Sequence, residues 1–204
     1  MQLDRIKELV SQLGKPMFFY DTETTGLNDA GIVEIAWLKI NSDGACHQFE
    51  SLINPEMPIP EQASNIHGIY AKHVASAPQY KAVHAEFLRQ AEDCIISGYN
   101  TRTFDNKVVL FNAGRYHLEK PEFNTQLDVR DIWIKVSGSW KGKLGDVALS
   151  YGVTPNGAHR AMSDVETTVN LLDKMIERHG MDFVVKQLIV NPTVALNSEP
   201  QGWC

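Results

Sequence analysis

Asp21 and Glu23 stand one residue apart at the end of an apolar run, Met17-Phe18-Phe19-Tyr20, and are followed by Thr24-Thr25-Gly26. On a strand, residues i and i+2 project from the same face. The two carboxylates therefore point the same way just where the run stops. Like charges held that close need a cation between them, or one must keep its proton. Oxygen-only ligands of this kind suit a hard divalent ion, Mg²⁺ or Mn²⁺. Taken alone, the pattern is equally that of a strand ending in a polar turn with exposed acids, so other residues must corroborate it.

Two further segments carry acids. In Gly98-Tyr99-Asn100-Thr101-Arg102-Thr103-Phe104-Asp105, an apolar strand ends and Asp105 opens a helix. By itself that reads as an acid serving a helix N-terminus. In His159-Arg160-Ala161-Met162-Ser163-Asp164, Asp164 lies in the first turn of a periodic helix, and Ser163-x-x-Glu166 fits a capping box. His159, just before that helix, reads by itself as an ordinary loop histidine. His47, His73, His84, His117 and His179 have no acidic neighbours at telling spacing and read as surface or core residues.

The elements that must position these groups follow from periodicity. Apolar spacing predicts helices over 4–13, 61–66, 79–93, 104–117, 129–136, 144–151, 160–178 and 181–190. Strands are expected at 17–21, 32–40, 47–53, 94–99 and 125–128, with a hairpin turn at Asn41-Ser42-Asp43-Gly44. Strands first, then strand–helix alternation, indicate an α/β fold with a mixed five-stranded sheet and helices on both faces. A hydrophobic content of 43% over 204 residues supports a single domain with a real core, assigned to 1–190, followed by an unpatterned tail at 191–204 that is expected to be flexible.

Composition narrows the function classes. A net charge of −6 argues against a protein that coats duplex nucleic acid by bulk charge. No apolar run approaches the roughly 18 residues that span a bilayer, and charges interrupt the start, so neither membrane association nor a signal peptide is expected. Cys46, Cys94 and Cys204 lack metal-ligand spacing, and a reducing cytoplasm is the expected location.

Taken together and in order, Asp-x-Glu-x-Thr-Gly, Asn…Phe-Asp and His-x₄-Asp resemble the DEDDh branch of the DEDD 3′–5′ exonucleases. That family includes the proofreading subunit of the bacterial replicative polymerase, exonuclease I, exonuclease X, ribonuclease T and oligoribonuclease. The resemblance covers about residues 16–178 and extends to Ile66-His67-Gly68-Ile69 and to Leu127-Asp128. Most members have Asn-x-x-Phe-Asp; the extra residue between Asn100 and Phe104 is similar to exonuclease I.

The resemblance implies a ribonuclease H-like fold and two metal ions about 3.5–4 Å apart. By the same resemblance Asp21 bridges both ions, Glu23 and Asp164 hold the one that activates water, and Asp105 supports the second. His159 is then the general base, a task that an imidazole suits. The terminal base would lie among Leu27, Ile66, His67 and Phe104, with Asn100 nearby and the 3′-hydroxyl at Glu23 and Thr24. The expected substrate is the 3′ end of single-stranded DNA, cut to 5′-mononucleotides. Alternatives are the same chemistry on short RNA, a non-catalytic module docking on a replication or repair partner, and a proofreader tethered to a polymerase through the tail. Several members of the family form homodimers. Trp133, Trp140, Lys135, Lys141 and Lys143 are the one stretch where basic and aromatic residues interleave, and are expected to guide the incoming strand.

Overall fold

A computed structural model describes residues 3–157 and 159–190. Helix α1 (Asp4–Leu13) buries Ile6, Leu9 and Val10 along one face and ends at Gly14, whose φ of 63° is the left-handed turn that glycine adopts readily. Strands β1 (Met17–Thr24), β2 (Ile32–Ile40) and β3 (Cys46–Leu52) form an antiparallel meander. Short helices α2 (Glu61–His67) and α3 (Ala71–Val74) lead to α4 (Tyr80–Ala91). Strand β4 (Ile95–Gly98), helix α5 (Asp105–Arg115) and strand β5 (Thr125–Asp128) follow. The chain continues through α6 (Val129–Ser137), α7 (Leu144–Ser150), α8 (Ala161–His179), α9 (Met181–Val185) and β6 (Ile189–Val190).

The sheet order is β3-β2-β1-β4-β5-β6. Strand β4 runs parallel to β1 and β5, whereas β6 returns antiparallel to β5. The central strand β1 is buried on both faces, which explains its unbroken apolar start. Met17 and Phe19 face a core built with α1 and α8, including Leu9, Val169, Leu172 and Met175. Phe18 and Tyr20 face the opposite core, with Trp37 of β2, Phe87 of α4 and Val109 of α5. Helices thus cover both faces, as the alternation predicts. Among the described residues no helix is long and apolar enough to cross a membrane.

The structure departs from the sequence reading in four places. Strand β1 runs three residues past 21, so Asp21 and Glu23 lie inside it and pair with Ala36 and Glu34 of β2. Among the described residues the sheet has six strands, because the expected helix over 181–190 stops at Val185 and Ile189-Val190 pair with the open edge of β5. β-Branched residues beside a free strand edge favour pairing over another helical turn. Helix α3 is an added turn. The capping box at Ser163 does not form: the Ser163 hydroxyl donates to the Asn156 carbonyl, and Arg160 is the N-cap residue. The tail at 191–204 lies outside the described residues.

Candidate active site

Asp21 and Glu23 share the face of β1 that Met17 and Phe19 occupy, which is the face covered by α8. Helix α8 begins at Ala161, so Asp164 sits in its first turn over this end of β1. His159 precedes the helix with φ of 64°, a left-handed conformation uncommon outside glycine. Donor atoms of Glu23, His159 and Asp164 all lie within 4.8 Å of one another. The structure therefore gathers three groups separated by up to 141 positions in the chain.

Asp105 arrives from the other side of the sheet. Thr22, between the two acids of β1, turns to the opposite face, where its backbone N–H and hydroxyl donate to Asp105 Oδ1 at 3.0 and 2.7 Å. The loop before Asp105 is tightly seated. A Cβ on Gly98 would lie 1.7 Å from Thr101 Oγ1 and 2.9 Å from the Tyr20 carbonyl, so only glycine fits there. Asp128, at the end of β5, accepts the backbone N–H groups of Asn100, Arg102 and Arg130 at 2.8, 3.0 and 3.0 Å. One buried carboxylate therefore ties this loop to the start of α6.

The carboxylates are electrostatically strained. Burial first, then Asp164, Glu34 and Asp105, push Glu23 up to about 8. Burial, and then the charges of Asp105 and Glu23, raise Asp21 well above the usual carboxylate range. Burial raises Asp105, against the pull of the Thr22 hydrogen bonds. Asp164 also rises through burial, offset in part by the ring and backbone of His159. Acids held together at this cost are those that a divalent cation would relieve. The donor set, all carboxylate oxygen apart from one imidazole, fits a hard divalent ion.

Sequence reasoning missed Glu34 and Arg160. Glu34 is fully buried on β2, opposite Glu23. It accepts from the Arg160 guanidinium and, at 2.9 Å, from the Ala161 backbone N–H. The N-terminus of α8 is thus capped across the sheet rather than by its own side chains. The signal was present, since a charge inside the apolar run 32–38 calls for a partner.

The expected substrate residues are partly gathered. Leu27 and Phe104 line a cleft of about 250 Å³ with Asn28, Thr103 and Lys107. Leu27 is 82% exposed and Ile66 60% exposed, far from the core positions that their types alone would suggest. His67 is buried, with Nδ1 accepting the Ile69 N–H at 3.0 Å and Nε2 3.2 Å from the Thr24 carbonyl. That pairing assigns the proton to Nε2, and burial lowers the ring's pKa, keeping it neutral. Both nitrogens are thereby engaged, and His67 fixes Thr24 and the end of α2. The Asn100 side chain accepts from Thr103 and Arg130 at 2.6 and 2.8 Å. A larger cavity, about 430 Å³, opens beside Lys15, Cys94 and Thr125, at the opposite end of the parallel strands from the acids.

The family profile described as Exonuclease matches residues 18–172. The uncharacterized exonuclease CP81 of Escherichia phage 186 is 34% identical over 171 residues, which cover 77% of this chain and 86% of the phage protein. The PolC-type DNA polymerase III of Pediococcus pentosaceus is 30% identical over 181 residues, which cover 83% of this chain but 12% of the polymerase. Among solved structures, E. coli exonuclease I in complex with a dA16 oligonucleotide shares the fold, with a TM-score of 0.72 at 18% identity. That match covers 84% of this chain and 42% of exonuclease I. Exonuclease X in complex with 5′ overhanging duplex DNA superposes with a TM-score of 0.64 at 26% identity, covering 82% of this chain and 99% of its own.

Proposed function

The chain belongs to the exonuclease family, in its DEDDh branch, and from that premise we propose that it is a metal-dependent 3′–5′ exonuclease releasing 5′-mononucleotides from single-stranded DNA. The observation that carries this reading is the meeting of Glu23, Asp164 and His159 within 4.8 Å, beside Asp21 and Asp105.

Asp21, Glu23, Asp105 and Asp164 would hold two Mg²⁺ or Mn²⁺ ions. Such ions, when bound, supply Lewis-acid stabilisation of the phosphate and a water of lowered pKa. His159 accepts the proton of the attacking water as its oxygen bonds to phosphorus. The bond from phosphorus to the 3′-oxygen of the penultimate nucleotide breaks. That oxygen takes a proton from solvent, leaving a new 3′-hydroxyl on the strand, and the released nucleotide keeps its 5′-phosphate. An exposed His159 on a loop before α8 can shed the proton to water between turnovers.

Leu27 and Phe104 flank the terminal base through apolar and aromatic contact, which tolerates any base. Ile66 adds an exposed apolar contact. Thr24, held by His67, presents its backbone to the 3′-hydroxyl beside Glu23. Asn100 shapes the entry loop. DNA is favoured over RNA because exonuclease I and exonuclease X are seen bound to DNA. Similarity to PolC-type polymerases favours a second reading, in which the same chemistry proofreads for a polymerase.

The test is degradation with Mg²⁺ of 5′-labelled single-stranded DNA, duplex DNA and RNA, with Asp21→Asn as the blank. A ladder shortening from the 3′ end of single-stranded DNA, absent in the blank and in EDTA, is expected. Faster loss of RNA would reassign the substrate, and no cleavage of any strand would overturn the reading.

A further inference from the structure

The loop between α6 and α7 is held at three points by side chains around it. The Tyr99 hydroxyl donates to the Gly142 carbonyl at 2.9 Å, the Trp133 indole N–H to the Lys141 carbonyl at 3.0 Å, and Arg130 to the Trp140 carbonyl at 2.7 Å. Gly142 is required for this closeness, because a Cβ there would lie 2.5 Å from Trp133 Nε1 and 2.9 Å from Val147 Cγ2. All three bonds engage backbone carbonyls. They leave the side chains of Trp140, Lys141 and Lys143 free to face solvent, and Trp140 is 72% exposed.

The sequence reading is corrected here. Trp133 does not join an exposed cluster. Its ring packs against the core, edge-on to Tyr151 at 6.5 Å between centroids, and its N–H braces the loop. Trp133 is the strut, and Trp140 is the ring that it holds out.

The loop is also wired to the candidate active site. The same Arg130 guanidinium that donates to the Trp140 carbonyl donates through its other nitrogen to Asn100 Oδ1 at 2.8 Å. Asn100 belongs to the loop that leads to Phe104 and Asp105. A strand whose 3′ end lies at Phe104 therefore has Trp140 among the next surfaces that it can meet.

We propose that Trp140, flanked by Lys141 and Lys143, is a stacking platform for a base of single-stranded nucleic acid upstream of the terminal nucleotide. This rests on the exonuclease reading above. A large apolar ring kept in water forgoes burial free energy, and an exposed ring on a braced loop, with two lysines close to it in the chain, matches what an unpaired base and its phosphate present. A duplex would not serve, because its base faces are already stacked. In a chain of net charge −6, the two lysines must supply attraction locally.

The experiment compares hydrolysis of an oligothymidylate of about a dozen nucleotides, a length that reaches well beyond one base, with that of a thymidine dinucleotide. Proteins are the intact chain, Trp140→Ala, Trp140→Phe and the double variant Lys141→Gln/Lys143→Gln. Trp140→Ala should lower the ratio of kcat/KM for the long substrate over the dinucleotide by about five- to a hundred-fold, mainly through KM. Trp140→Phe should recover most of it. The lysine variant should flatten the salt dependence of KM for the long substrate. Binding of the oligonucleotide without metal should quench tryptophan fluorescence in the intact chain and much less in Trp140→Phe. An unchanged ratio in Trp140→Ala, or equal loss on both substrates, would overturn the platform. Absence of any cleavage by the intact chain would instead sink the exonuclease reading.

Discussion

The Arg160 guanidinium meets both oxygens of the Glu34 carboxylate, at 3.0, 3.1 and 2.6 Å, in a pair whose acid is wholly buried and whose base is half exposed. Arg160 neighbours His159 and is the N-cap residue of α8, so this contact sets where Asp164 and His159 stand relative to Glu23. Among the described residues, Arg160→Ala leaves the buried Glu34 charge with only the Ala161 N–H. It should cost about 1–3 kcal/mol of stability, less than a fully buried pair because water reaches the arginine. It should also lower kcat more than it raises KM. Urea unfolding and steady-state kinetics check both. Unaltered kcat in a folded variant would show that the pair does not position the site.

His159→Ala should lower kcat by about 10²–10⁴-fold, the range for removing a general base. Its folding should be intact, because the side chain is exposed. Mn²⁺ affinity, read by calorimetry, should change little if the imidazole handles the proton rather than the metal. A large loss of metal affinity would make His159 a ligand instead.

The acid cluster predicts how stability depends on pH. Glu23 rises from 4.5 to about 8, and Asp21 and Asp164 move in the same direction. Between those limits the folded, metal-free protein keeps protons that the unfolded chain has released. Unfolding free energy therefore falls as pH rises through that window. The stabilising proton is fully present below the unfolded value and lost above about 8. In EDTA, Tm should be several degrees lower at about pH 8.5 than at about pH 6. Mg²⁺ should raise Tm more at the higher pH, where the carboxylates are charged and need it. An equal response at both pH values would contradict the account.

Asp128→Ala removes the acceptor of three backbone N–H groups and should destabilise by about 3 kcal/mol. Asp128→Asn, which keeps one carbonyl oxygen, should cost less. Because the loop it pins carries Asp105, kcat should fall in both variants. Chemical denaturation with parallel kinetics would detect this, and a loss of stability with kcat intact would make Asp128 purely structural.

Much of this protein was written locally. The unbroken apolar run in β1, the three-and-four spacing in α8 and the turn residues at 41–44 each settle their own element, because backbone geometry and burial pattern act over a few residues. Asp21, Glu23, Asp105, His159 and Asp164 were legible as residue types at telling spacings. Whether they meet was not, because no local rule brings positions 23 and 164 together. That was decided by packing α8 on the face of β1 that carries both acids. The same packing capped α8 with Glu34 instead of Ser163, turned Trp133 inward while leaving Trp140 in water, and offered Ile189-Val190 a strand edge in place of more helix. Each outcome depends on a partner distant in sequence, and only the tertiary structure supplies that partner.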